Sequence, residues 1–169
     1  MEQNTDHKTE LKEKLITFYN SNKSKIYSFI IVLVIILIST IFIKINNQKK
    51  NNLIAEKFVD ANIYLNADNK KKSIELYEEI IFSNNKFYSI LSLNKILEKN
   101  LSSDKDKILK YFKTIEEKNL SEEQIDLLIF KKALYLIKIS NIKKGKSLLQ
   151  NLIEKNSKIK TLAEEILVK

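Results

Sequence analysis

The sequence predicts an all-α protein: one N-terminal transmembrane helix followed by an array of helical hairpins. Three observations carry this. Ile26 to Ile43 is an eighteen-residue run without charge, Gly or Pro. The whole chain has one Gly and no Pro, whereas strand-rich folds need turn residues. After the run, apolar residues recur with helical periodicity in segments of helix length, separated by clusters of Asn, Ser and Asp.

The elements follow in order. Residues 1–25 form a tail with an amphipathic helix over 7–25, its apolar face set by Leu11, Leu15, Phe18 and Tyr19. Lysines on the other face suit a membrane surface. The span occupies 26–45, with Ile26 and Ile43 as the ends of its apolar run and Lys25 and Lys44 outside them. Fourteen of its eighteen residues are Ile, Leu, Val or Phe; Tyr27, Ser28, Ser39 and Thr40 complete it. At about 1.5 Å per residue it covers roughly 27 Å, close to the hydrocarbon thickness of a bilayer. Fourteen such side chains favour insertion by a gross amount on the order of 4–8 kcal/mol. A cleaved signal has a shorter core, about 7–15 residues, and small residues at its cleavage site; Ile41-Phe42-Ile43-Lys44-Ile45 offers none.

Residues 46–169 form the helical domain. Ile45 to Asn52 reads as a continuation of the span helix or a short linker. Helices are expected at 53–65 (apolar face Leu53, Ile54, Phe58, Ala61, Leu65), 70–82 (Ile74, Tyr77, Ile80, Ile81) and 86–99 (Phe87, Ile90, Leu91, Asn94, Leu97). Further helices are expected at 104–117 (Ile108, Tyr111, Phe112, Ile115), 122–139, 142–155 (Leu148, Leu149, Leu152, Ile153) and 158–168 (Leu162, Ala163, Ile166, Leu167). The helix at 122–139 is the most apolar, with Ile125, Leu128, Ile129, Ala133, Leu136 and Ile137 in one wide stripe, and should be central. Ser121 is its N-cap, with Glu122 and Glu123 in the first turn.

A repeat runs through these helices. Ser73-Ile74-x-x-Tyr77, Ile108-Leu109-x-x-Phe112 and Gly145-Lys146-x-x-Leu149 each follow a short polar turn, at spacings of 35 and 37. A tetratricopeptide unit has a similar period, about 34 residues, and two helices. It places a small residue early in its second helix, where Ser73 and Gly145 fit and Ile108 does not. In hairpin repeats the first helix of each pair lines a groove for peptides or partner helices. Asn62, Tyr64, Tyr88, Asn94 and Tyr135 lie on those first helices and are the candidate groove contacts; a core position is the competing reading, strongest for Tyr88 and Tyr135.

Composition narrows the chemistry. There is no Cys, so disulfides and thiol chemistry are excluded. The lone Gly excludes phosphate-binding loops and dinucleotide fingerprints. The one His, His7, is in the tail, so the domain can form neither a His-based triad nor a His metal cluster. Neither cofactor, metal nor small-molecule substrate is expected, and the chain reads as no enzyme. Glu78-Glu79, Glu116-Glu117, Glu122-Glu123 and Glu164-Glu165 are adjacent on helices, point about 100° apart, and read as solvated surface. The net charge of +9 comes from lysine alone. The absence of Arg argues against nucleic-acid readout. Lys12, Lys14, Lys23 and Lys25 on one flank balance Lys44, Lys49, Lys50 and Lys57 on the other, so the charge rule does not orient the span.

The layout resembles the YfgM-like family, ancillary subunits of the bacterial Sec translocon. The stretches "ELKEKLITFYNSNKSKIYSFIIVLVIILI", "FYSILSLNKILEKN" and "IEKNSKIKTLAEEILVK" carry the resemblance, one of layout and soft pattern over nearly the whole chain. It implies a single-pass inner-membrane protein with a cytoplasmic N-terminus and a periplasmic tetratricopeptide-like domain. Its expected partners are the lipid bilayer, the translocon, periplasmic chaperones and nascent chains. A scaffold for envelope assembly or cell division on the same fold is the alternative.

Overall fold

The computed structural model describes residues 3–168, with side chains from residue 12 onward except residue 26. The side chains of His7, Leu11 and Ile26 therefore lie outside the described part. Among the described residues there are seven α-helices and no strand: α1 Gln3–Asn66, α2 Lys70–Phe82, α3 Lys86–Glu98, α4 Lys105–Glu116, α5 Glu122–Lys138, α6 Ile142–Glu154 and α7 Lys160–Val168. The chain divides into two units, Met1–Lys50 and Asn51–Lys169.

The first unit is helical throughout its described length. It contributes the apolar stretch of the one helix, among the described residues, long and apolar enough to cross a membrane, and none of that stretch is buried against protein. Leu37 is 61% exposed and Phe42 71%. Its hydroxyls are satisfied within the helix: Ser39 donates to the Ile35 carbonyl at 2.8 Å and Thr40 to that of Leu37 at 2.8 Å. An apolar solvent demands such internal pairing, because no water is available to them there. Ile43 ends the apolar run but not the helix, and Ile45 to Asn52 is helix rather than linker. The expected separate helix at 53–65 is the last part of α1. No Gly, Pro or capping pattern between 44 and 53 interrupts the backbone ladder.

In the second unit, Ile54, Phe58 and Leu65 of α1 pack on a core built from Ala61, Tyr77, Ile80, Ile81, Leu93, Ile96, Ile108, Tyr111, Phe112, Ile115, Leu120 and Leu128. Ala133, Leu149, Leu152 and Ala163 form a second cluster joining α5, α6 and α7. Each fully buried Leu, Ile or Phe contributes about 1.5–3 kcal/mol of transfer free energy. The apolar faces read for α4 and α6 pack in these clusters, as do Tyr77, Ile80 and Ile81 of α2 but not Ile74; Leu53 and Leu162 are exposed.

The face expected for α3 is rotated. Its buried side is Ser89, Ser92, Leu93 and Ile96, whereas Phe87 is 59% exposed. Close approach of α2 decides this. Ser89 Oγ donates to the Ile80 carbonyl at 2.9 Å, near the end of α2, and a larger side chain would hold the helices apart.

Helix ends are marked without glycine. Asn69, Asn85, Asp104 and Ser121 cap α2 to α5 by accepting from the backbone N–H three residues on, and Ser121 with Gln124 makes a capping box. Asp68, Asn100, Ser140 and Asn156 have positive φ (46° to 68°) just past helix ends. At each, the following N–H reaches back five residues: Asn69 to Tyr64, Leu101 to Ile96, Asn141 to Leu136 and Ser157 to Leu152. This closure satisfies carbonyls that the helix leaves unpaired.

The contacts between like helices repeat. Asn85 donates to Asn51, Tyr111 to Glu78, Lys118 to the Ser83 carbonyl, Lys131 to Asn94, Lys138 to Asn100 and Lys158 to Glu123. These pairs are 33 to 38 residues apart in sequence, so each hairpin docks on the next at one period. Ser73, Ile108 and Gly145 are all buried, as are Tyr77, Phe112 and Leu149 four residues later. Ile108 thus occupies the position that the sequence expected to be small. Gly145 is required where it stands: a Cβ would lie 2.6 Å from Ile137 Cγ1 and 2.8 Å from the Ala133 carbonyl oxygen.

Candidate functional site

The first helices of successive hairpins are α1 (residues 51–66), α3 and α5. The Asn51–Asn85, Phe58–Tyr88 and Asn94–Lys131 contacts place them side by side. Two depressions lie between them. One is bounded by Ala55, Phe58 and Val59 of α1 and by Phe87, Tyr88 and Leu91 of α3. The other lies between α3 and α5 and has a volume of about 310 Å³. Its floor is Ile96, Leu97, Ile108, Leu134 and Tyr135, and its polar rim includes Asn94, Asn100, Lys131 and Lys138.

The five candidate residues fall in different places. Asn94 and Tyr135 line the α3–α5 cavity, and Tyr88 lines the α1–α3 depression. Tyr88 also meets Phe58 with tilted rings 5.4 Å apart and Phe87 edge-on at 5.1 Å. Tyr64 is 38% exposed near the end of α1 and lines neither depression. Asn62 is turned inward. Its Nδ2 donates to the Phe58 carbonyl at 2.6 Å and its Oδ1 accepts from the Tyr77 hydroxyl at 3.0 Å. The Asn62 amide is thus committed to tying α1 to α2.

Several contributors were not singled out in the sequence. Phe58 and Leu91 read as core, and Lys131 and Lys138 were not marked as candidates at all. Their spacing of seven residues, two helical turns on one face, is the signal that could have marked the lysines. Burial holds the Lys131 ammonium below the usual lysine range, with the Glu98 carboxylate pulling the other way. Burial raises the Tyr135 phenol, and Asp104 and Asp106 raise it further.

The adjacent glutamates are not uniformly solvated. Glu78 is half-buried and accepts from the Tyr111 hydroxyl at 2.6 Å while pairing with Lys107. Glu116 accepts from Lys132 at 2.8 Å. Asp126, 4% exposed at the start of α5, accepts from Lys155 and Ser157. Each of these acids joins two helices. Among the described residues no group of three or more His, Cys, Asp or Glu is placed to hold a metal ion.

No family model, curated protein or solved structure matches this chain. Its function is therefore argued from the face formed by α1, α3 and α5 and from the exposed apolar stretch of α1.

Proposed function

We propose that this chain is a membrane-anchored, non-enzymatic protein-interaction module whose repeats are of the tetratricopeptide type. The observation that carries the reading is the single period of 33 to 38 residues in the contacts between like helices. A solenoid of that period sets its first helices side by side and leaves depressions between them, the usual seat for a peptide or partner helix. An anchor on the same chain raises the local concentration of that surface near membrane partners, so tight intrinsic affinity is unnecessary.

Within this reading the chain serves as an accessory factor at the Sec translocon of a bacterial inner membrane, engaging periplasmic chaperones or emerging polypeptides. The layout resemblance to YfgM-like proteins supports that assignment. Photo-crosslinking side chains placed at Leu91 and Tyr135, in the two depressions, test it in living cells. The expected adducts are translocon subunits, chaperones or nascent chains. Adducts confined to cell-division or envelope-assembly proteins would replace the translocon role with the scaffold role. Absence of any protein adduct from either position would overturn the interaction module itself.

A further inference from the structure

The cavity between α3 and α5 has an unusual charge arrangement. Five lysines that tie one helix to another in this domain, or α5 to the start of α7, each meet a carboxylate: Lys57 with Glu79, Lys107 with Glu78, Lys132 with Glu116, Lys155 with Asp126 and Lys158 with Glu123. Lys118 donates to the Ser83 carbonyl at the end of α2. Lys131 and Lys138 also cross between helices, but each meets a neutral amide. Lys131 Nζ donates to Asn94 Oδ1 at 2.6 Å and Lys138 Nζ to Asn100 Oδ1. Among the described residues no carboxylate lies within 4 Å of either ammonium. Glu98 shares the rim, but its ion-pair partner is Lys95 at 3.9 Å.

Two ammonium groups therefore stand at the rim of an apolar floor with no carboxylate at ion-pair distance, and the Glu98 carboxylate acts on Lys131 only from farther off. Lys131 is partly buried, and a desolvated cation is held at a cost unless an anion meets it; Lys138 is exposed at the mouth of the cavity. The spacing limits what that anion can be. Residues 131 and 138 are two turns apart, about 10.5 Å along α5, too far for one carboxylate to bridge both. In an extended peptide, residues i and i+4 point to the same side about 13 Å apart, with i+2 between them on that side. The flexible ends of Lys and Glu cover the difference. A volume of about 310 Å³ lies at the small end of ligand sites and suits one apolar side chain.

We propose that the α3–α5 cavity is a subsite for an extended acidic peptide of the pattern Glu-x-Leu-x-Glu, with its two carboxylates on Lys131 and Lys138 and its Leu on the floor beside Tyr135 and Leu134. This rests on the interaction-module reading and names the ligand chemistry of one of its two depressions.

The test is fluorescence anisotropy of a labelled Ser-Glu-Ser-Leu-Ser-Glu-Ser peptide titrated with the full chain in neutral detergent at low salt. Saturable binding is expected. Replacing both peptide Glu by Gln, replacing its Leu by Ser, or using the Lys131→Gln/Lys138→Gln variant should each weaken it at least about tenfold. The Lys143→Gln/Lys144→Gln variant removes the same charge from exposed positions on α6 and should change it less than about twofold. The Lys131→Glu/Lys138→Glu variant should in turn take up a peptide with Lys in place of both Glu, a gain that a misfolded protein could not produce. No binding by the native chain, equal loss in the α6 variant, or indifference to the Leu overturns the proposal. So does displacement of the peptide by vesicles rich in anionic lipid when the Lys131→Gln/Lys138→Gln variant no longer binds those vesicles, since the site would then be a lipid site. Crosslinks from Leu91 in cells with no binding of this peptide would sink the subsite and leave the interaction module standing.

Discussion

At the scale of single residues, a few positions bear more than their side chains announce. Gly145 is the chain's one glycine and sits inside α6 against the backbone of α5. Ala is the better helix former by about 1 kcal/mol, yet its methyl would meet the Ala133 carbonyl oxygen at 2.8 Å. Overpacking against a backbone costs about 1–3 kcal/mol net, so Gly145→Ala should lower the unfolding midpoint in urea; an unchanged midpoint would mean that α6 can move away freely. Ser140 presents the opposite case. Its φ of 68° is costly for any residue with a Cβ. Ser140→Gly should stabilise by about 0.5–1 kcal/mol, read in the same titration. Tyr111 links charge to stability. Burial, then the hydrogen bond to Glu78, pushes its phenol far above the ordinary value. The folded chain therefore keeps this proton where the unfolded chain loses it. The stabilisation is intact below about pH 10 and declines as the pH rises beyond it. Tyr111→Phe removes this one dependence, so its stability should fall less steeply than that of the native chain between pH 10 and 11. Parallel curves would show that Tyr111 does not titrate differently in the two states.

Among the elements, α5 is the hub, and the sequence marked it as such by its breadth of apolar residues. It packs on α4 through Phe112 and Tyr135, ring centres 6.0 Å apart, and on α6 through the Gly145 contact. Its first turns also hold the far end of the hairpin. The Asp126 carboxylate receives Lys155 and Ser157, which flank the turn between α6 and α7. Asp126→Ala leaves those two donors unpaired, at a cost of about 1–3 kcal/mol. Hydrogen exchange should then quicken in α6 and α7 well before α2 and α3, because stability in a repeat array is a sum of local and neighbour contributions. Uniform acceleration across the domain would instead indicate one cooperative unit.

For the whole molecule, the membrane-anchor proposal makes a prediction about the side on which residues 51–169 lie. The flanking lysines balance, so charge is silent. The native chain has no Cys, which permits single cysteines to be placed at Glu13 in the tail and at the exposed Glu154 in the domain. A membrane-impermeant thiol reagent on intact cells should label the Cys at 154 and spare the one at 13. The reverse pattern would put the domain on the cytoplasmic side and end the translocon–periplasm proposal.

The sequence by itself determined helices α2 to α7, the apolar stretch able to span a bilayer, and the period of the repeat, though not that 53–65 continues α1. All three follow from local pattern: hydrophobic spacing, a cap such as Ser121, and the recurrence of Ser73, Ile108 and Gly145. It did not determine which side of α3 is buried, because Ser89 won that face through close approach to α2 and the larger Phe87 was left outside. Nor did it show that Asn62 is spent on Tyr77, that Glu78, Glu116 and Asp126 tie helices together, or that Lys131 and Lys138 meet amides instead of carboxylates. Those are facts about pairs of residues 15 to 38 positions apart. Whether a polar group is satisfied depends on the partner that packing brings to it, and only the tertiary structure makes that choice. The apolar stretch of α1 needed no such partner, which is why hydrophobicity alone sufficed to find it.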